Sequence, residues 1–300
     1  MEGTVKSTMK DTMKGTVTAD ELRREMEHER FDHGKWPLFR VAVLKEEKGA
    51  RMFVDLDNMI FDGFSVQLLF RRWNEHYENE QEFRKPTLSF RDYVLAAEKL
   101  RGTERYAADR AYWQEKVKSM PPVPELFTKV SPDMLTDQTI MHEGRTVSPD
   151  RWLRFREICR RRSVTVSAAL FAVYAHMLSL WSRRQTFTIN LTQYNRLFSH
   201  AEINDLIGDF TLLSMMSVDM GKGESFYGAV KRIQQDMAED MSHPYYSGVE
   251  VQRDYAGSAH NDGVAFPVVF TVTAAMTAGS RDRVFGRVER ITTETPQVWL

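Results

Sequence analysis

The sequence predicts an α/β protein in which helices cover β-sheets. Runs that are typical of strands alternate along the chain with longer stretches whose apolar residues recur at helical spacing. The composition, with 42% apolar and 28% charged residues, is that of an ordinary globular protein. Strands that alternate with helices favour layered sheets with helices packed on them.

The chain begins with a Thr/Lys/Met near-repeat over residues 1–18 that has no clear apolar face. We interpret this segment as a disordered tail or an atypical translation start. A short helix is predicted from about Ala19, with Leu22 and Met26 on one side.

Two strands and a helix are predicted next. Residues 39–44 and 52–57 have strand patterns, and the charged loop 45–50 between them contains a glycine, which is typical of a hairpin. Asp57 therefore lies at the end of a strand, where loops and functional side chains gather. The helix that follows carries a stripe interpreted as facing the core: Val66, Leu69, Phe70, Trp73 and Tyr77.

The middle of the chain predicts a division into two lobes. Helices are predicted over 90–100 and 106–117, followed by the proline-rich residues 120–124. These can be neither helix nor central strand, because each proline lacks a backbone donor and fixes its own φ. We interpret them as the start of a crossover, with a partial N-terminal lobe over 19–130 and a partial C-terminal lobe over 131–300.

Strands and helices alternate again in the second half. Strands are predicted over 139–147, 187–191, 210–218, 267–273 and 287–293. Ser148 and Pro149 predict a helix start. The helix predicted over 164–181 is the most apolar one and is expected to be buried on most sides. A further amphipathic helix is predicted from Phe226 to Met241.

The composition argues against several classes of protein. A net charge of -1 gives no electrostatic reason for binding nucleic acid or an anionic membrane. The single cysteine, Cys159, rules out an intramolecular disulfide and a Cys/His zinc cluster, and its apolar surroundings predict a buried thiol. No apolar run is long enough for a membrane span and no signal-peptide core is present, so a cytoplasmic location is expected.

Two further classes of site are absent from the sequence. It contains no phosphate loop and no Rossmann glycine set, so no nucleotide or metal is implied. None of the eight histidines lies in a recognisable catalytic pattern, and each is expected to be packed or solvated.

The most informative stretch runs from Asp57 to Ser65 and reads DNMIFDGFS. It places carboxylates at Asp57 and Asp62 where a predicted strand gives way to a helix. One acyl-transfer superfamily has an HHxxxDG sequence here, which supplies a histidine base. Asp57 and Asn58 occupy the histidine positions, and asparagine has no titratable proton for that role. Taken alone, the residues are also compatible with an Asp-Gly turn and a helix cap at Ser65.

The resulting DxxxxDxxS pattern resembles the heterocyclization domains of nonribosomal peptide synthetases. Further motifs similar to those of that family follow in order along residues 20–300. They are WPLF at 36–39, LSFRDY at 88–93, YW at 112–113, PPVPEL at 121–126, INLT at 189–192, NR at 195–196, GDFTLL at 208–213, SGV at 247–249, PVVFT at 267–271 and TPQVWL at 295–300. Each motif is degenerate alone, but their number and order identify the chain as a member of this family.

The resemblance implies the two-lobed fold of the chloramphenicol-acetyltransferase superfamily, with the active site in a tunnel between the lobes. It implies peptide-bond formation between acyl thioesters carried on the phosphopantetheine of separate carrier proteins. The acceptor cysteine, serine or threonine side chain then closes a thiazoline or oxazoline ring, and water leaves. The implied partners are peptidyl or aryl carrier proteins and adjacent synthetase domains. No cofactor is implied in the domain itself.

The resemblance also assigns residue roles. Thr271 of PVVFT is implicated in ring closure, together with an aspartate that would directly follow Leu300. Outside the family, Thr271 would be an ordinary β-branched strand residue. Asp57 is expected to face the tunnel as a catalytic group, and Asp62 is a second catalytic candidate for which a structural role is favoured. The candidates for substrate binding are Ser65, Asn58 and Asp209.

Three functions are open on the sequence. Both ends of the family domain are expected to be missing, so the chain is interpreted as an incomplete condensation-domain fold. It is then a heterocyclization domain or a piece of one, or a non-catalytic relic or carrier-docking module of the same fold. A coenzyme A-dependent acyltransferase is disfavoured, because Asn58 cannot replace its histidine.

Overall fold

The computed structural model describes residues 18–28, 30–47, 49–79, 84–130, 134, 140–194, 196–257, 266–273, 286 and 288–295. The predicted tail, apart from its last residue, and most of the TPQVWL motif lie outside the described residues.

The chain divides into two compact units. The first comprises 1–83, 207–209 and 281–292, and the second comprises the remaining residues. These divisions fall at other positions than the predicted lobes, 19–130 and 131–300, which stay a prediction.

The first unit is built from two helices and a hairpin. Its elements are α1 (Ala19–Glu27), β1 (Phe39–Glu46), β2 (Gly49–Leu56) and α2 (Gly63–Asn79). β1 and β2 pair antiparallel, with Phe39 opposite Leu56. Gly49, at the turn, has a φ of 145°, a conformation that favours glycine. The predicted helix and hairpin are confirmed, although the strands extend into the predicted loop 45–50.

α2 buries only part of its predicted stripe. Val66 and Trp73 are half-buried, and the adjacent Leu68 is the most deeply buried apolar residue of the helix. Tyr77 is 67% exposed, so the prediction that it faces the core is wrong. Spacing places a residue on a helix face, but it does not place another element against that face, and the last turn of α2 is exposed.

The second unit contains six α-helices and three strands within the described ranges. They are α3 (Phe90–Leu100), α4 (Glu104–Val117), α5 (Pro149–Arg161), α6 (Val166–Trp181), β3 (Thr186–Tyr194), β4 (Thr211–Asp219), α7 (Phe226–Met241), α8 (Gly248–Gly257) and β5 (Val269–Thr271). α3 has the predicted bounds, and α5 begins at the predicted Pro149 with Ser148 before it. Residues 120–124 are irregular, as predicted.

The three strands form one sheet in the order β4-β3-β5. β3 and β4 are antiparallel, and β5 runs parallel to β3 with Thr271 beside Thr192. One apolar cluster joins the sheet to α6 and α7 through residues such as Ile189, Phe171 and Ile233. A second apolar cluster joins residues of α4, α8 and β4: Trp113, Val117, Val251, Tyr255 and Met215.

Two predicted strands and the burial of one helix are corrected. Residues 140–147 and 288–293 are irregular, because β-forming residues make a strand only where a partner strand lies beside them. α6 is not buried on most sides, since Val173, Leu180 and Trp181 are exposed. The buried face of α6 consists largely of small residues and one aromatic ring: Ala168, Ala169, Phe171, Ala172 and Ala175.

The predicted burial of Cys159 is confirmed, and burial raises the pKa of its thiol. Within the described ranges no single helix is long and apolar enough to span a membrane, although α5 and α6 pass that test together as a pair bent by 104°.

Candidate functional site

Asp57 directly follows β2, and both oxygens of its carboxylate have hydrogen-bond partners. Oδ1 accepts a hydrogen bond of 2.8 Å from the backbone N–H of Met59, and Oδ2 lies 2.9 Å from Nε2 of His33. The Asp57 side chain is only 15% exposed. Asn58, in the turn after it, is exposed. A histidine therefore lies beside the carboxylate, although the prediction assigned no histidine to a functional setting.

Asp62 and Ser65 start α2. Asp62 is buried, and its Oδ1 accepts a hydrogen bond of 2.6 Å from the backbone N–H of Ser65. This is the geometry of a helix N-cap, so the alternative in which Ser65 caps the helix is wrong.

Ser65 is fully buried and bonded to Gly208 in both directions. Its Oγ donates to the carbonyl of Gly208 at 2.8 Å and accepts from the N–H of Gly208 at 3.1 Å. The backbone N–H of Asp62 also donates to the Gly208 carbonyl, at 3.1 Å. The DxxxxDxxS motif and the GDFT motif are therefore in contact within the first unit. Catalysis by Asp62 and substrate binding by Ser65 stay predictions.

Asp209 is exposed and directly follows the residue that contacts Ser65. An exposed aspartate at this position is compatible with the predicted substrate binding and also with a turn-forming role. Substrate binding by Asp209 therefore stays a prediction.

Thr271 is the last residue of β5 and is exposed. Thr192 lies beside it on β3, and two residues earlier Asn190 lies beside Val269. Asn190 is 6% exposed, and its Oδ1 has no hydrogen-bond partner among the residues that the structure describes. Its INLT motif was recognised in the sequence, but no feature of that motif indicates that this amide is buried.

Asp57 belongs to the first unit and Thr271 to the second. The predicted convergence of these two residues on one cleft therefore stays a prediction. Within the part of the chain that the structure describes, no group of three His, Cys, Asp or Glu residues is arranged to hold a metal ion.

A sequence model of the condensation domain matches residues 4–280. This chain belongs to the condensation-domain family. The chain is 32% identical to bacitracin synthase 1 of Bacillus licheniformis, over 100% of this chain and 6% of that protein. It is 29% identical to pyochelin synthetase PchF of Pseudomonas aeruginosa, over 92% of this chain and 16% of that protein. The chain thus spans only a small part of these relatives.

Solved structures support the same assignment. The EpoB cyclization-docking bidomain from Sorangium cellulosum is 33% identical, with a TM-score of 0.77 over 84% of this chain and 52% of that one. The predicted α/β condensation fold and the predicted resemblance to heterocyclization domains are thereby confirmed.

Proposed function

We propose that this condensation domain joins two carrier-bound acyl thioesters and then closes the product to a thiazoline or oxazoline. The observation that carries the proposal is Asp57, a partly shielded carboxylate held on both oxygens where the parent motif has a histidine. The names of three relatives support the choice of reaction: the EpoB cyclization domain, pyochelin synthetase and phenyloxazoline synthase MbtB.

The first step forms an amide bond. The amine of the acceptor, a cysteine, serine or threonine thioester, attacks the carbonyl carbon of the donor thioester. The carbon–sulfur bond of the donor breaks, and the donor carrier leaves as a thiol. Both substrates arrive on phosphopantetheine, so the proposed partners are peptidyl or aryl carrier proteins and adjacent synthetase domains, and the domain needs no cofactor of its own.

The second step closes the ring and eliminates water. The acceptor thiol or hydroxyl loses a proton and adds to the new amide carbonyl, whose oxygen takes up a proton to become a hydroxyl. That hydroxyl must gain a second proton to leave as water, while the ring nitrogen loses its hydrogen and the C=N bond forms. A carboxylate can accept and return such protons, whereas a threonine hydroxyl can only relay or position them. We assign Asp57 to the first role and Thr271 to the second. The expected setting for this chemistry is the cytoplasm.

The acceptor side chain provides the sharpest test. The protein is incubated with an aminoacyl donor carrier and with acceptor carriers loaded with cysteine, serine or alanine, and the intact mass of each acceptor carrier is measured. Cysteine, serine or both should give a product lighter by one water than the linear amide. Alanine has no nucleophile and should give the linear amide only. Linear amide with all three acceptors would overturn the cyclization, and no amide with any of them would overturn the condensation.

A further inference from the structure

We propose that His33, in the turn before β1, is a positioning residue for Asp57. It places an imidazole beside a motif that has no histidine at positions 57 and 58. The inference rests on the proposed function. It goes beyond that function because His33 lies 24 residues away from Asp57 in sequence, outside every motif that identified the domain.

The backbone around Asp57 is already fixed by the hairpin. The N–H of Asp57 donates to the carbonyl of Leu38 at 3.1 Å, and the N–H of Ile60 donates to the carbonyl of Asp57 at 3.1 Å. What stays free is rotation of the carboxylate. Met59 bonds one oxygen and His33 the other, so the two contacts together set the plane of the group.

The turn that carries His33 is built so that its other charges satisfy each other. Lys35 pairs with Asp32 at 2.7 Å, and the N–H of Gly34 donates to the same carboxylate at 3.0 Å. The ion pairs recorded on this turn among the described residues are Lys35 with Asp32 and His33 with Asp57. Because the cation of Lys35 is paired with Asp32, His33 is the group on this turn that contacts Asp57.

The contact depends on which nitrogen of the His33 ring carries hydrogen. The charged ring always presents a donor at Nε2, and the neutral ring presents one only in the tautomer that carries hydrogen on Nε2. Removing the carboxylate charge should weaken the contact in either form of the ring.

The first test measures the contact without any substrate. Unfolding by urea is compared at one fixed pH for wild type, His33→Ala, Asp57→Asn and the double variant. The amide introduced by Asp57→Asn keeps an oxygen for the Met59 N–H but loses the charge that faces His33. Asp57→Asn should lower the free energy of unfolding by less than about half as much in the His33→Ala protein as in wild type, because the effects of substitutions at contacting residues are not additive. Full additivity would overturn the inference.

The second test measures how His33 affects the rate of ring closure, the step assigned to Asp57. His33→Ala should slow the Asp57-dependent step about tenfold, the loss expected for one hydrogen bond to a charged group, and His33→Gln should restore part of it by keeping a donor. His33→Ala should slow nothing further in the Asp57→Asn protein. Lys35→Ala, on the same turn but bonded to Asp32, is the matched control and should leave the rate unchanged.

The two tests separate the inference from the proposed function. If wild type forms neither amide nor ring, the proposed function fails. Non-additive changes in the free energy of unfolding would still support the contact between His33 and Asp57. If wild type forms the ring and His33→Ala is as fast as wild type, the positioning role is overturned and the proposed function stands.

Discussion

At the scale of the residue, position 57 combines a carboxylate with an imidazole from elsewhere in the chain. The strand pattern of residues 52–57 correctly predicted a strand at this position, and Asp57 directly follows its last residue, Leu56. It could not predict His33, because that histidine lies in an irregular turn where neither periodicity nor a motif marks it. Hydrogen bonds between segments distant in sequence are decided by the fold and leave no local signal.

Ser65 shows the same limit. Its position after an Asp-Gly pair suggested a helix cap, yet the cap is Asp62 and the serine is bonded to Gly208. Those bonds join residues 143 apart in sequence. The sequence supplied both motifs but not their contact.

Ser65→Ala tests the structural importance of that contact. The substitution leaves the buried N–H of Gly208 without its acceptor, and we expect a loss of about 1–3 kcal/mol in the free energy of unfolding, the cost of an unsatisfied buried polar group. Ser119→Ala is the matched control, because Ser119 is exposed and bonds only locally. Urea denaturation measures both. Equal stability of the two variants would show that the bonds to Gly208 contribute little.

At the scale of the element, α4 is attached to α7, α8 and the loop between them by polar pairs as well as by apolar packing. Tyr106 donates to Glu250 at 2.6 Å, and Tyr112 donates to Asp240 at 2.7 Å. The sequence predicted the helix itself, because its apolar residues recur at helical spacing. It did not predict the pairs, since their members are more than 120 residues apart.

A histidine also takes part in the contacts of α4 with the loop between α7 and α8. His243, expected to be packed or solvated, is half-buried, with its Nδ1 2.9 Å from Oδ1 of the buried Asp109. Its ring stacks on Tyr112, with centroids 3.9 Å apart. The indole N–H of Trp113 donates to the His243 carbonyl at 3.0 Å. The YW motif thus helps to fix the loop that precedes α8.

The surroundings of the polar side chains between α4, α7 and α8 shift their pKa values. Burial and the hydrogen bond to Glu250 raise the pKa of Tyr106 to about 12. Burial opposes ionisation of Glu250, but hydrogen bonds from Tyr106 and Ser247 outweigh it and lower the pKa of that carboxyl. Burial raises the pKa of Asp240, although Lys116 and Tyr112 act in the opposite direction.

Alkaline pH should therefore destabilise the protein through Tyr106. The unfolded tyrosine loses its proton near its ordinary pKa of about 10, whereas the folded one keeps it to about 12. The stabilisation is complete below about pH 10 and is lost as the pH rises through about 12, because the unfolded state then binds fewer protons. Tyr106→Phe should flatten this decline in urea unfolding, and Tyr77→Phe, on an exposed residue, should not. Identical pH profiles for wild type and Tyr106→Phe would contradict the argument.

Gly248 tests how closely α8 approaches the sheet. A Cβ at this position would lie 2.3 Å from the carbonyl oxygen of Leu213 on β4, so backbone must shift to admit it. We expect Gly248→Ala to lower the free energy of unfolding by about 1–3 kcal/mol, as for other overpacked positions. Gly257→Ala is the control and should be nearly neutral, because this glycine ends the same helix and no described residue lies within 4 Å of its Cβ position. A neutral Gly248→Ala would show that α8 can move away from β4 at little cost.

At the scale of the whole molecule, family membership and fold class could be predicted because many weak motifs occur in a fixed order. A helix start was predicted well where a local residue marks it, as at Pro149, which occupies the first turn of α5. Prediction failed where a distant partner decides, as for residues 140–147, which have strand-like composition but no strand beside them among the described residues. It failed also for α6, whose exposed Leu180 and Trp181 have the same character as residues of a buried face.

At this scale the proposal assigns ring closure to Asp57 and Thr271, and it assigns neither residue to amide formation. Loss of ring closure in a Thr271 variant that still forms the amide would support that assignment.

The most direct measurement is the intact mass of a cysteine-loaded acceptor carrier after reaction with Thr271→Ala. Thr273→Ala, two residues further along the same segment and also exposed, is the matched control. We predict that Thr271→Ala accumulates the linear amide, whereas wild type and Thr273→Ala give the product lighter by one water. Ring formation by Thr271→Ala at the wild-type rate would contradict the account.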